Sequence, residues 1–430
     1  MKQPVIYSMT LYAGVSKLDI TPPIGVKMAG YAARLKPCEG IHDPLYVRTL
    51  VMKSNGDFLV IMSLDLAGLD VSTCSEIKDK IYQYLRIPKD SIIITTTHTH
   101  SGPQTGRYGS DWTDLSWLNQ TVKKAVSGVI MAVSDLKEAL VEYGEGELHT
   151  ISENRREREG PIDPKVRVIA LNEKHGKEPI ATLVNFSMHP VVLRANNAFI
   201  SADYPGYLCK YLEEWEGGIT LFLQGTCGDI RPRILGTENL EESFRRVSKV
   251  GKILAAEALK AREQVDNFQD CEFIRVKSVN VSLSTAKLPP SNEVLNRVKT
   301  IEYEMKELKD VNKLMKMNWE LYAMRRVKFL LEERIRDRKI SSILTHVELG
   351  GLVDLLTLPG EPLVRFGFKV RTLLSSKNLI IVGYANDYIG YIPSIDDYKK
   401  GGYEATVPWC ILNEEGIKEL LVKISNISKT

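Results

Sequence analysis

The chain has 430 residues, 43% hydrophobic and 26% charged, the balance of an ordinary globular protein, which excludes disordered and collagen-like classes and leaves length for a sizeable core. A formal net charge of +3 is too small to argue for nucleic acid or an anionic membrane surface as a partner. No apolar run approaches the roughly 18–20 residues a bilayer-spanning helix needs, so no transmembrane segment is expected.

In chain order, residues 1–14 lack a basic stretch followed by an apolar core and a small-residue cleavage site, so no secretory leader is expected. The first strand-like run, 58–63, leads into Asp65, and helical periodicity follows over 72–86 with Ser72 as the expected N-cap. The run 91–97 is apolar and β-branched, then turns polar in His98-Thr99-His100 and breaks at Ser101-Gly102-Pro103. Strand alternation puts the two imidazoles on one face, a start for a metal site. Helical spacing returns over 114–136, and Asn154-Arg155-Arg156-Glu157-Arg158 forms a basic run. That run reads either as a solvated surface or as the source of an arginine that clamps a substrate oxygen.

The pattern then repeats. Strand 180–187 runs into His189-Pro190 and helix 204–215; strand 219–223 runs into Gln224-Gly225-Thr226-Cys227-Gly228-Asp229 and helix 239–265. Residues 289–339 are dense in Lys, Arg and Glu with apolar residues at helical spacing, and predict two helices broken near Lys309-Asp310. They read as a solvated helical insertion, or as a lid or dimer arm; self-association stays open. Strand 351–358 leads into Pro359-Gly360-Glu361 and helix 362–375, and strand 378–382 into Asn386-Asp387-Tyr388. A last helix, 414–427, has Asn413 as its cap.

Strands alternating with helices imply an α/β fold: mixed sheets flanked by helices, a metal site at strand ends, and a charged helical insertion. In such sheets ligands gather at the carboxyl ends of strands. Six strand ends carrying polar or ionisable residues therefore point to one site drawn from distant parts of the chain.

Of the seven histidines, His149 and His175 sit in surface-like settings and His346 in a strand, where a structural role is expected. His98, His100 and His189 each follow an apolar strand and together could supply nitrogen ligands to zinc. Glu361, fixed in a Pro-Gly-Glu-Pro turn, is the best carboxylate candidate. Cys227 could be taken for a nucleophile, but no basic partner adjoins it and a tight turn is the better reading. The chain has no His-Glu-x-x-His, Gly-x-Ser-x-Gly or Walker pattern. Six scattered cysteines without Cys-x-x-Cys fit reduced thiols, and the cytoplasm is the expected location.

Read together, the segments resemble the catalytic domain of the neutral/alkaline (non-lysosomal) ceramidases. The matching pieces run in order: Asp19-Ile20-Thr21-Pro22-Pro23, Met28-Ala29-Gly30-Tyr31, His42-Asp43-Pro44-Leu45-Tyr46, Ser63-Leu64-Asp65, Thr97 to Pro103, Asn154-Arg155, Asn185-Phe186 with His189-Pro190, Ser201-Ala202-Asp203 with Gly206-Tyr207, Gly228-Asp229 with Pro232, Pro359-Gly360-Glu361-Pro362, and Asn386-Asp387-Tyr388 through Tyr391, Tyr398 and Tyr403-Glu404. They span nearly the whole chain, which is expected to be one zinc hydrolase domain, 1–430, with the 289–339 insertion inside it.

The resemblance implies an amidohydrolase using zinc-activated water on a small-molecule or lipid amide, ceramidase-like. It implies zinc ligands His98, His189, Glu361 and Tyr391, with His100, Arg155 and Tyr403 around the reacting carbonyl. The residues alone do not choose Tyr391 over Tyr388 or Asp387. Asp65, Asp203 and Asp229 are candidates for orienting ligands or for capping turns. Where family members usually carry Ser-Pro-Asn, this chain has Arg231-Pro232-Arg233, so it cannot use that serine. Family enzymes are also commonly secreted or membrane-associated, with an immunoglobulin-like domain that is not expected here. Two alternatives stand beside ceramide: the same scaffold hydrolysing a small soluble amide, acylated sugar or ester, or an inactive binding homologue.

Overall fold

Strand β3 (Asp57–Leu64) shows how the layers arise. Its side chains alternate faces, and both faces are apolar: Val60, Met62 and Leu64 join one core while Leu59 and Ile61 join another. A strand buried on both faces needs a layer above and below it. The computed structural model, which describes residues 10–106, 113–176, 178–265 and 268–428, supplies both. Most of the leader expectation, residues 1–9, falls outside the described residues.

With β1 (Leu11–Asp19), β2 (Tyr46–Ser54), β4 (Ile92–Thr96), β5 (Lys137–Glu147), β6 (Lys165–Glu173), β7 (Pro179–Phe186) and β8 (Ile219–Gln224), β3 forms an eight-stranded mixed sheet of order β8-β7-β6-β5-β1-β2-β3-β4. Only β3–β4 and β7–β8 pair in parallel. One face carries helices α1 (Val71–Leu85) and α2 (Leu115–Ser134) over the β2–β4 side, and α3 (Asp203–Glu216) and α4 (Leu240–Glu263) over the β6–β8 side. The other face packs on a second sheet, β9 (Ile274–Ser284), β10 (Lys339–Leu349), β11 (Val353–Thr357) and β12 (Leu379–Val382), in that order. Leu50, Ile61, Ile93 and Leu223 from the first sheet share this core with Val347, Leu355 and Ile380 from the second. Behind the second sheet lie α7 (Val364–Leu374) and α9 (Glu414–Ile427), with the short α8 (Ile395–Lys400) beside α9, so the layers run helix, sheet, sheet, helix. The mixed α/β expectation is met.

The first sheet curls until its two edges approach: Ser63 Oγ donates to Phe222 O at 2.6 Å and Gln224 Nε2 to Thr97 O at 3.1 Å. The segment after β12 closes the remaining edge of β4. Asn386 N donates to Ile94 O (2.7 Å), Ile94 N to Asn386 Oδ1 (3.1 Å), and Thr95 Oγ1 to Gly383 O (2.9 Å). The ends of β4, β7, β11 and β12 thereby meet.

The expected caps hold for α9, where Asn413 accepts from Gly416 N, but not for α1. There Asp70, not Ser72, accepts from Thr73 N at 2.8 Å, and the Ser72 hydroxyl donates to the same carboxylate. An anion at the helix N-terminus is favoured by the helix dipole as well as by the hydrogen bond. The insertion forms α5 (Ser291–Glu307) and α6 (Val311–Phe329), tied by the Arg297–Glu320 and Arg325–Glu302 pairs. α6 also rests on the body, with Asn318 Nδ2 donating to Ala32 O and Arg34 O and Arg326 Nε to Pro408 O.

Candidate metal centre

His98 leaves β4 in the left-handed region (φ 68°), a conformation costly for a residue with a β-carbon. Two bonds hold it: His98 N donates to Leu66 O at 2.9 Å, and Nδ1 lies 2.6 Å from Ala67 O. A carbonyl only accepts, so Nδ1 carries the proton and Nε2 presents a lone pair inward. His189, after β7, repeats the arrangement with Nδ1 at 2.6 Å from Cys227 O. Its Nε2 is fully buried without a hydrogen-bond partner, which an inward-facing ligand atom explains. Outward Nδ1–H bonds that fix the tautomer are the usual support of histidine ligands.

Glu361, on the turn after β11, brings Oε2 to 3.3 Å from both His98 Nε2 and His189 Nε2. Its Oε1 accepts from Tyr388 Oη, and Tyr384 Oη lies 3.3 Å from Oε2. Burial alone would raise the Glu361 pKa, but the imidazoles of His98 and His189 outweigh it and hold the carboxyl well below its ordinary value. Tyr391 enters by backbone register: the two-residue strands Glu361–Pro362 and Tyr391–Ile392 pair in parallel, Glu361 opposite Tyr391. Arg155 Nη2 donates to Tyr391 Oη at 2.9 Å and to Gly228 O, and Nε to Glu404 at 3.0 Å. Burial opposes the Arg155 charge, yet Tyr391 and Glu404 overcome it and the guanidinium stays charged.

His100 Nε2 faces His98 Nε2 at 3.1 Å. Among the described residues His98, His100 and His189 form a group able to hold a metal ion, their donor nitrogens within 4.8 Å of one another. Burial and the neighbouring His98 and His189 keep the His100 pKa well below its usual value, while burial and Arg155 bring that of His189 to about 4. Both are therefore neutral imidazoles near pH 7, the form that ligates metal or carries a proton. The ring of His100 lies against Gly30 (φ 90°), where a β-carbon would sit 2.3 Å from His100 Cγ. Tyr31, next along, meets that ring edge-on at 5.2 Å.

All seven expected site residues thus surround one cavity of about 530 Å³ or, for His189, the buried cluster at its floor. Tyr403 faces the cavity, with no hydrogen bond from its hydroxyl to another described residue. The three aspartates differ. Asp229 receives Asn154 Nδ2 and Val364 N, joining the Arg155 loop to the segment behind Glu361. Asp65 pairs with buried Arg48, and Asp203 accepts from Leu193 N and Tyr204 N; neither touches a proposed ligand, so both are structural. Cys227 is buried with a thiol pushed well above its ordinary pKa by burial, no nucleophile, and it serves through its carbonyl. Of the two arginines at 231 and 233, only Arg231 lines the cavity; Arg233 Nε instead donates to Ser152 O.

Sequence reasoning missed the aromatic wall. Tyr322 and Phe329 of α6 and Trp409 line the cavity, with Tyr322 stacked on Trp409 (5.8 Å, 17°) and Tyr403 against Trp409 at 5.1 Å. It also missed Tyr384 and the support Tyr388 gives Glu361. A cluster of tyrosines after β12 was the available signal, but only the folded register separates their tasks.

The family model for the N-terminal part of neutral/alkaline non-lysosomal ceramidases matches residues 11–303. That stretch carries His98, His100, Arg155 and His189, whereas Glu361, Tyr391 and Tyr403 lie beyond it. The chain is 24% identical over 298 residues to a neutral ceramidase of Pseudomonas aeruginosa, an alignment covering 60% of this chain and 44% of that protein. It is 21% identical over 453 residues to a neutral ceramidase of Mycobacterium tuberculosis, covering 88% and 70%. The crystal structure of the P. aeruginosa neutral ceramidase shares the fold with a TM-score of 0.79 at 19% identity, over 97% of this chain and 74% of that one.

Proposed function

The chain belongs to the neutral/alkaline non-lysosomal ceramidase family, and from that premise we propose that it is a zinc-dependent hydrolase of N-acyl amide bonds, ceramide among the candidate substrates. The observation that carries the reading is the position of Glu361 Oε2, 3.3 Å from two imidazole nitrogens whose rings are fixed by carbonyls behind them. His98, His189, Glu361 and Tyr391 are the ligands in this reading; two imidazoles, a carboxylate and a phenolic oxygen suit zinc. Zinc bound there would polarise the amide carbonyl and bring the pKa of a water towards about 7.

The remaining residues divide the work. Arg155, held by Glu404 and Gly228 O, keeps a fixed positive charge beside Tyr391 and the carbonyl oxygen, where negative charge grows as the amide is attacked. Burial raises the Tyr403 pKa, so its hydroxyl acts as a hydrogen-bond donor to that oxygen rather than as a base. His100, neutral at rest and pressed between Gly30 and His98, would take the proton released by the attacking water and hand that proton to the leaving amine, which departs poorly unprotonated. The chain acts as one hydrolase unit with the 289–339 insertion as part of its cavity wall. All six cysteines are buried free thiols, which supports a cytoplasmic location.

The grouping of three imidazoles favours a second assignment in which His100 is itself a ligand. Metal analysis with a chromatographic assay of acid release from N-acyl amides, ceramide in detergent included, decides between them. His98→Ala should lose both zinc and hydrolysis. His100→Ala should keep its zinc while turnover falls by about 10²–10⁴-fold, the range of a lost general acid; loss of zinc would instead make His100 a ligand. Zinc-loaded protein that hydrolyses no member of the panel would overturn the proposal.

A further inference from the structure

The cavity has two chemically different walls. One is aromatic, built by Tyr322, Phe329, Tyr403 and Trp409. The other is formed by the loop after His189 and the strand after Asp229, and it presents Arg194 and Arg231. Arg194 is exposed, and its side chain makes no hydrogen bond or ion pair with another described residue, its carbonyl accepting from Asn197 N. Among the described residues the Arg231 side chain pairs only with Glu153, at 2.8 Å, and both side chains are well exposed, so the pair is weak and open to competition. The cavity's own carboxylates are engaged elsewhere: Glu361 with His98 and His189, Asp70 as the cap of α1.

The proton path orients a substrate between these walls. The leaving amine must lie near His100, and the His100 ring touches Tyr31, whose hydroxyl donates to Leu193 O at 2.9 Å. Arg194 follows Leu193 in the chain and lines the cavity on that side. The amine half therefore faces the arginines and the acyl half the aromatic wall.

Resting on the amide-hydrolase reading above, we propose that this site selects N-acyl amides whose amine half carries an anion, the class of N-acyl amino acids, with Arg194 and Arg231 receiving the carboxylate. A guanidinium offers paired donors matched to a carboxylate, and an unpaired one at a cavity mouth loses little on binding it.

The test compares kcat/KM for N-dodecanoylglycine and N-dodecanoylethanolamine, which share the acyl chain and differ in charge, using zinc-loaded protein. The expected ratio favours the glycine conjugate by about tenfold or more, the scale of one charge-assisted contact. It should collapse towards unity in Arg194→Ala/Arg231→Ala, survive largely in Arg194→Lys, and shrink with added salt. Zinc content and circular dichroism confirm that each variant is folded. Hydrolysis of both substrates without preference, or a preference unmoved by the double substitution, overturns this inference and leaves the amidase reading standing. Hydrolysis of neither overturns both.

Discussion

At the scale of single residues, the inward atoms of His98, His189 and Glu361, three of the proposed ligands, are each aimed by a bond to the other polar atom of the side chain. Glu361 shows this best, because a carboxylate has two oxygens and only one faces the imidazoles. Tyr388 holds Oε1, and so leaves Oε2 facing the imidazoles, where the proposed zinc would sit. Tyr388→Phe should therefore weaken zinc affinity by about 10–100-fold, the usual effect of removing a group that orients a ligand. Competition with a chromophoric chelator measures this directly; an unchanged affinity would show that Tyr384 and the backbone suffice. His98, His100, His189 and Glu361 were legible in the sequence because each follows an apolar strand, and strand ends are where a buried sheet opens to ligands. Tyr391 was not legible from its surroundings. Tyrosines at 384, 388, 391, 398 and 403 look alike in sequence, and only likeness to the family singled it out. The pairing of Glu361 with Tyr391 is the physical reason, and it exists only after folding.

Among elements, the helices are placed by close approach as much as by apolar stripes. α3 and α4 cross where a β-carbon on Gly251 would sit 2.5 Å from Tyr207 Cβ and 2.9 Å from Leu208 N. Backbone cannot yield as a side-chain tip can, so Gly251→Ala should destabilise the fold by ~1–3 kcal/mol, the ordinary cost of overpacking. Urea denaturation would read this as a lower midpoint at unchanged slope. The helices and the strands that lead into polar turns were legible to within about two residues, since apolar runs of five to eight residues alternate with amphipathic helices. The antiparallel strands β1, β2, β5, β6, β9 and β10 were not bounded, because polar residues interrupt their apolar runs. The wall formed by α6 was hidden for the opposite reason. Its Met315, Met317, Trp319, Leu321 and Tyr322 mark no single face, so the sequence reads as a solvated helix and conceals the side that meets the cavity.

For the molecule as a whole, the proposed donors come from both sheets: His98 and His189 from the first, Glu361 and Tyr391 from segments around the second. A ligand that binds only the assembled state stabilises it by mass action. Stripping zinc with a chelator should lower the thermal midpoint, re-addition should restore it, and His98→Ala should show no response to either treatment. A midpoint indifferent to zinc in the wild-type protein would remove the coupling. The shared sheet–sheet core has a further consequence for how the polypeptide is made. Residues 11–224 can pair into the entire first sheet before the ribosome reaches β9 at Ile274. Until the second sheet arrives, Leu50, Leu59, Ile61 and Leu223 present a broad uncovered apolar face. Synthesis of the second half is thus the interval in which the nascent chain is most prone to sticking and most in need of a chaperone. In the proposed centre, capture of the ion would be complete only once Tyr391 has emerged and docked, and would mark the end of that interval.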